Sequence, residues 1–316
     1  MIDDRAPSSR ADKKNTSVNS IIIQAGHLTT TRAATVKSLL LASGALLWLL
    51  VFLVLPGLIV AVLAFASRGD YGQVLWTFGW DNFVRLAGWG IFGWSADYLI
   101  IITRSLLLAG ICTVLAILLA LPVAFFIANQ PIRWRYLLLA LVTIPFCTNL
   151  VIRTYGWILL CSNQMPPAKF AAWLGWIENG TGLAPSAFAV TIGMVNAILP
   201  FAVLPLYPSI ERLDWSLVEA ARDNYASRWR TFRHAILPQI SPGLISAGIL
   251  TFIPSIGMFV VSDLLGGAKY MLLGNLIQQQ FGASRDWPFG AAICVVLIIM
   301  TLIGLWLMGR RGREAL

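Results

Sequence analysis

Long uncharged stretches alternate with short charged ones along this chain, and the alternation sets its architecture. Residues 38–67, 105–132, 136–152, 179–210, 235–262 and 287–309 contain no Asp, Glu, Lys or Arg. Each reaches or nearly reaches the roughly 20 residues that a helix needs to cross about 30 Å of hydrocarbon. The pattern predicts an all-α membrane protein with six transmembrane helices. Residues 1–36 are polar, mixed in charge and without an apolar period, which predicts a mobile N-terminal tail. Only Ile21–Ile23 offers a patch for the membrane surface. Residues 37–310 form the transmembrane domain, with a loop at 211–238, and 311–316 a short C-terminal tail.

Composition agrees with this class. The chain is 58% hydrophobic and 12% charged, with a mean hydropathy of +0.77, whereas about a quarter of a soluble domain is charged. The net charge of +9 is explained by where the basic residues fall. Arg5, Arg10, Lys13, Lys14, Arg32 and Lys37 precede the first span, Arg133 and Arg135 sit in the second connection, and Arg310, Arg311 and Arg313 end the chain. Arg212, Arg222, Arg228, Arg230 and Arg233 crowd one further loop, while the alternate loops hold only Arg68, Arg85, Lys169, Lys269 and Arg285. Basic loops stay on the cytoplasmic side, so both termini and the Arg-rich loop are expected there. No nucleic-acid partner is needed to account for the charge.

The Arg-rich segment, Glu211 to Pro242, is too polar for lipid and reads as two short helices in water. Asp214 is a suitable N-cap for a helix from Trp215 to about Asp223, which Asn224 can end in a left-handed conformation. Ser227 can cap a second helix that places Trp229, Phe232 and Ile236 on one face. Pro238 and Pro242 are expected to stop that helix and start the next span. Such a segment is either a solvated connector or a docking element, and Ala220, Ala221 and Ala226 would let a partner's backbone approach closely.

Glu219, Ala220 and Ala221, followed at the right interval by Leu237 and Pro238, resemble the signature of ABC importer permeases: EAA, three residues, G, nine residues, I-x-L-P. Tyr225 stands where that family has glycine and Ala235 where it has isoleucine. A tyrosine with positive φ is costly, so either Asn224 is expected to take over the turn or the turn to shift by one residue. The resemblance implies a type I importer permease fold in which this loop forms coupling helices on a cytoplasmic ATPase. Glu219, Ala220, Ala221, Asn224, Tyr225, Ala226, Phe232, Leu237 and Pro238 would then make the ATPase contact. LVIRTYGW, FIPSIGMFVVSDLLGG, MLLGNLI and RDWPFGAA resemble the permeases of spermidine and putrescine importers in particular. The implied partners are two ATPase subunits, a second permease and an extracytoplasmic binding protein, in the bacterial inner membrane. No G-x-x-x-x-G-K-[ST] phosphate loop occurs, so this chain is expected to bind no cofactor and catalyse nothing, with ATP and Mg in the partner ATPase.

Residues toward the outer side complete the expectation. At 1.5 Å per residue a straight third span puts Arg153 about 27 Å beyond Arg135, level with Asp97, Arg104 and Asp263. These four charges either snorkel at the interface or form an outer gate or docking ring whose opposite charges pair. A polyamine is a flexible cation, so its path should offer carboxylate or aromatic faces; Tyr155, Trp157, Asn196 and Asp263 are the candidates. Pro185, Asn196, Pro200 and Pro205 suggest that the fourth span lines a cavity, where freed backbone groups are tolerated. The outer loop 68–97, with Trp76, Phe78, Trp80, Phe83, Trp89, Phe92 and Trp94, reads as an amphipathic interfacial helix or a partner contact.

The remaining signals are weaker. Ala64-Phe65-Ala66 resembles a signal-peptidase site, but the preceding apolar run is longer than a signal core and is expected to be retained. Cys112, Cys147, Cys161 and Cys294 read as small core residues, and His27 and His234 lack partners at metal-ligand spacing. Two rival readings stay open. One is an importer for another small solute, such as an amino acid derivative, a phosphonate or an iron complex. The other is an ion-coupled carrier working alone, which would favour charges deep in the bilayer and repeated halves.

Overall fold

The computed structural model describes residues 43–314 except 45, 91–92 and 268–269. The N-terminal tail with its Ile21–Ile23 patch, Phe92 and Lys269 lie outside the described residues. The described residues fall into two units, divided between Ile59 and Val60. Helix α1 spans Leu46–Leu63, with one widened turn at Leu50–Val54.

The rest belongs to the second unit. Helix α2 (Asp81–Leu86) follows strands β1 (Ser67–Arg68) and β2 (Val74–Leu75) and precedes β3 (Trp89–Gly90) and β4 (Gly93–Trp94). Long helix α3 (Asp97–Ala128) leads to α4 (Ile132–Cys147), α5 (Leu150–Leu160), α6 (Pro166–Trp173) and α7 (Ala187–Glu211). The Arg-rich loop contributes α8 (Trp215–Asp223). Helix α9 (Arg228–Gly257) is followed by α10 (Val260–Gly266), α11 (Leu273–Phe281) and α12 (Trp287–Glu314).

Among the described residues, α1, α3, α7, α9 and α12 are each long and apolar enough to cross a membrane. The sixth expected span is broken. Helices α4 and α5 meet at 92°, because Pro145 sits in the last turn of α4 and Thr148 is extended at φ −81°, ψ 149°. Asn149 then starts a new helix by accepting from Val151 N–H at 2.8 Å. A straight rise from Arg135 to Arg153 is therefore not what the chain does. The fifth span also stops early, at Gly257, with Met258 and Phe259 separating it from α10. The fourth begins only at Ala187, capped by Ser186, so Pro185 lies before the helix. Helix α12 runs on to Glu314.

Small side chains bring the central helices together. Ala109, Cys112, Ala116, Ala120 and Ala124 form a fully buried stripe on α3 at spacings of three and four, the arrangement that lets membrane helices approach closely without an aqueous hydrophobic drive. Helix α7 packs against both α3 and α9 and is the most buried of the spans. Its Gly193 faces α10 so closely that a Cβ would stand 2.5 Å from the Leu265 side chain. Apolar side chains on the opposite faces, such as Leu107, Ile111 and Leu118, remain exposed, as lipid contact requires.

The aromatic loop after α1 is not one interfacial helix. Gly69, Gly72, Gly79, Gly88, Gly90 and Gly93 interrupt it, and glycine costs about 1 kcal/mol per helix position relative to alanine. Two small antiparallel hairpins flank α2 instead, leaving Trp76, Trp80, Trp89 and Trp94 exposed. Asn82 Nδ2 donates to the carbonyls of Ala64 and Ala66 at 2.9 and 2.7 Å. The peptidase-like tripeptide is thus folded into this loop's core.

Candidate functional site

Helix α8 forms where the sequence places it. The Asp214 carboxylate accepts from the Ser216 hydroxyl at 2.7 Å and from its N–H at 3.0 Å, which holds Asp214 below the usual carboxylate range. Leu213 and Val218 are buried in the same core cluster as Ile240 of α9, so one face of α8 is fixed to the bundle. Gln239 fixes its start: its Oε1 accepts from Asp214 N–H at 2.9 Å while its Nε2 donates to Ala235 O at 2.7 Å.

The turn closing α8 departs from expectation. Asn224 stays right-handed at φ −83°, and Tyr225 itself adopts the left-handed conformation at φ 58°. Tyr225 N–H donates to Arg222 O at 2.9 Å and Ala226 N–H to Ala221 O at 3.1 Å, the paired bonds of a helix end normally built on glycine. Asn224 contributes a side-chain donor to Ala220 O at 2.8 Å instead. The turn neither shifts nor passes to asparagine, because these bonds fix its register and the tyrosine ring, 97% exposed, meets no obstruction.

Pro238 and Pro242 do not divide the next helix. Ser227 caps α9 as expected, accepting from Arg230 N–H at 3.4 Å, but the helix then runs without interruption into the span. A widened turn at Phe232–Ile236, closed by Leu237 N–H on Phe232 O, accommodates Pro238. The carbonyl that Pro242 cannot serve, Pro238 O, accepts from the Ser241 hydroxyl at 2.9 Å. Trp229 and Phe232 stack at 5.9 Å. Glu219 and Ala220 are exposed and Ala221 and Ala226 half-buried, leaving an open surface with Trp215, Leu217, Tyr225 and Trp229 exposed around them.

At the other end of the bundle, α5 and α10 pack on each other and both touch α7. This brings together the elements that carry the path candidates. Tyr155 and Asp263 are exposed, and Trp157 is half-buried against the core. Asn196 is half-buried on α7.

Paired gate charges are not observed. Among the described residues, the ion pairs are Arg68–Asp286, Arg85–Asp286 and Arg135–Glu211, none of which joins two of Asp97, Arg104, Arg153 and Asp263. Asp97 accepts from the Ser95 hydroxyl at 2.8 Å, and Arg153 Nη1 donates to Pro145 O at 3.1 Å. Arg104 faces outward over a shallow groove of ≈ 340 Å³ with Ile100, Leu107 and Ile111. The 92° bend and the break after Gly257 turn α5 and α10 off the straight lines that would bring these charges level. Cys112 and Cys161 are buried, but Cys147, at the bend, is exposed.

Three polar clusters escaped the sequence. Asp286, 1% exposed, accepts from Arg85 at 2.7 Å, lies 3.8 Å from Arg68, and caps α12 by accepting from Phe289 N–H at 3.2 Å. Asn275 Oδ1 accepts from the Ser262 hydroxyl at 2.6 Å and Leu272 N–H at 3.2 Å, while Ser105 accepts from Leu273 N–H at 2.8 Å. Glu211 joins Arg135 at 2.9 Å and Tyr207 at 2.8 Å, tying the second connection to the end of α7. The Asp-x-x-Phe cap of α12, the Leu272–Asn275 bond and the Tyr207–Glu211 bond are local, while the ties made by Arg85, Ser105, Arg135 and Ser262 join residues farther apart in sequence.

The structure is thus a membrane bundle with a broken third span and a helical hairpin between its fourth and fifth spans. The chain belongs to the family described as binding-protein-dependent transport system inner membrane component, which matches residues 113–310. The spermidine/putrescine transport system permease protein PotB of Escherichia coli (strain K12) is 42% identical over 266 residues, covering 84% of this chain and 94% of PotB. PotB of Haemophilus influenzae is 35% identical, covering 84% of this chain and 91% of that protein. Among solved structures, a chain of the bacterial alginate ABC transporter in complex with alginate pentasaccharide-bound periplasmic protein matches with a TM-score of 0.65 at 17% identity. It covers 90% of this chain and 96% of that one. At that identity the likeness shows the fold alone. The chain is an inner-membrane, multi-pass permease of the ABC importer class.

Proposed function

We propose that this chain is one of two permease subunits of an ATP-driven importer of spermidine, putrescine or related polyamines. Its 42% identity to a spermidine/putrescine permease, across 94% of that relative, is the observation that carries the reading. The importer comprises a second permease, two cytoplasmic ATPase subunits that hold ATP and Mg, and an extracytoplasmic binding protein. Both termini and the 211–242 loop face the cytoplasm, in keeping with the distribution of basic residues.

Helix α8 and the first turns of α9 receive the movement of the ATPase pair, through Glu219, Ala220, Ala221, Asn224, Tyr225, Ala226, Phe232, Leu237 and Pro238. Burial of Val218 and the double hydrogen bond of Gln239 make this element move with the bundle. The polyamine passes Tyr155, Trp157, Asn196 and Asp263, where rings and a carboxylate suit a cation. Asp97, Arg104 and Arg153, unpaired with one another, serve as docking charges for the binding protein.

Two measurements test the proposal. Glu219→Arg is expected to abolish ATPase assembly and ATP-driven uptake while membrane insertion stays normal; retained assembly would overturn the coupling role. Uptake of labelled spermidine is expected to be competed by putrescine and not by amino acids or phosphonates, and the reverse pattern would overturn the polyamine assignment.

A further inference from the structure

Tyr225 combines two properties that rarely occur together. Its φ of 58° lies where residues bearing a Cβ seldom go, yet its ring is 97% exposed and gains no contact within the chain. Nothing inside the molecule favours a phenol over a hydrogen at this position. Strained residues persist where a function depends on them. Two helical residues into α9, Trp229 is 68% exposed and held by its stack on Phe232, at 5.9 Å with the rings 24° apart. Two large rings thus stand out from the junction of α8 and α9, beside the open Glu219–Ala220 surface.

We propose that Tyr225 and Trp229 are an aromatic anchor that enters an apolar pocket on the ATPase subunit and sets which ATPase this permease accepts. This rests on the loop being the ATPase contact and adds a selectivity element to it. Tyrosine and tryptophan give large contact area and dominate the energetics of interfaces, typically as central anchors within a polar rim. Here the rim is supplied by Glu219, Arg222, Asp223, Arg228 and Arg230, all exposed.

A lipid surface fits the same residues less well. The carboxylates of Glu211, Asp214, Glu219 and Asp223 offset all but one of the loop's arginines, Arg212, Arg222, Arg228, Arg230 and Arg233, leaving little net charge to attract anionic headgroups. Helix α9 has 30 residues, about 45 Å of rise. That exceeds the hydrocarbon thickness by about 15 Å, and Arg228, Arg230 and Arg233 put the polar excess at the end next to Tyr225.

The test uses the full-length permease in lipid nanodiscs with the ATPase that co-purifies with it. Tyr225→Gly relaxes the backbone while removing the ring, Tyr225→Phe keeps the ring, and Trp229→Ala removes the second anchor. Tyr225→Gly and Trp229→Ala are each expected to weaken ATPase binding about tenfold or more, with Tyr225→Phe near wild type and thermal unfolding of Tyr225→Gly not lowered. Binding of Tyr225→Gly at wild-type affinity would overturn the anchor. So would a loss confined to discs containing phosphatidylglycerol, which would assign the ring to lipid. Glu219→Arg separates the two levels. If it too retains the ATPase, the coupling reading itself fails; if it alone loses the ATPase, only the aromatic anchor falls.

Discussion

Tyr225 and Asp286 show how single residues carry local conflicts in this fold. A left-handed conformation costs a residue with a Cβ about 1–2 kcal/mol, and the hydrogen bonds of Tyr225 and Ala226 to the end of α8 hold it there. Asp286 is the opposite case, a buried carboxylate with every neighbour in place. Arg85 bonds it at 2.7 Å and also lies 4.0 Å over the Phe289 ring, which stacks the cation on an aromatic face as well as on the charge. Asp286→Ala is expected to remove both the α12 cap and this pairing, destabilising the protein by about 2 kcal/mol. A lower thermal midpoint in detergent, with Asp97→Ala as an exposed control, checks it. Neither residue stood out by composition. Tyr225 was legible only as a departure from a glycine position, and the direction in which the conflict resolves depends on whether space exists around the ring.

At the scale of elements, caps and hydrophobic periods were readable and breaks were not. Asp214 and Ser227 cap α8 and α9 as their sequence contexts require. The bend between α4 and α5 turns on Pro145 and the extended Thr148, the continuity of α9 past Pro238 and Pro242 on a widened turn and the Ser241 hydroxyl, and the stop at Gly257 on packing. Gly274 illustrates why: a Cβ there would stand 2.6 Å from the Gly257 carbonyl, so α11 can lie against the broken end of α9 only without a side chain. Gly274→Ala is expected to cost about 1–3 kcal/mol by overpacking, seen as a lower unfolding temperature and a reduced uptake rate. The Asp214 cap makes a pH prediction. Its folded-state affinity for protons is depressed by the Ser216 hydroxyl and N–H. The cap is therefore intact above the unfolded carboxylate value and lost as pH falls through the folded one. Hydrogen exchange across 215–219, corrected for the intrinsic rate, should accelerate as pH drops from about 5 to about 3. Asp214→Asn, itself a good cap, should remove that dependence.

For the whole molecule, the count of spans and the grouping of loops were the most legible features, because lipid forbids charge and unpaired backbone alike. The ion pair of Arg135 with Glu211 places the second connection and the Arg-rich loop at one end of the bundle, as the alternation of spans requires. Thiol labelling with an impermeant reagent in a Cys147→Ser background tests the sidedness proposed for it. Ser227→Cys should react in inside-out vesicles and Asn163→Cys in right-side-out ones, and the reverse would invert the orientation. The path toward the substrate was less legible. It draws on α5, α7 and α10, short or interrupted pieces whose meeting is a matter of packing, so the residues could be nominated but not assembled.

The unbroken run of α9 from Arg228 to Gly257 also has a geometric effect. A rod about 45 Å long that tilts by about 10° about one tip carries its other tip through roughly 8 Å. Modest swings imposed beside Trp229 would thus be magnified at Met258, next to Asp263, with no relay of intermediate contacts in between.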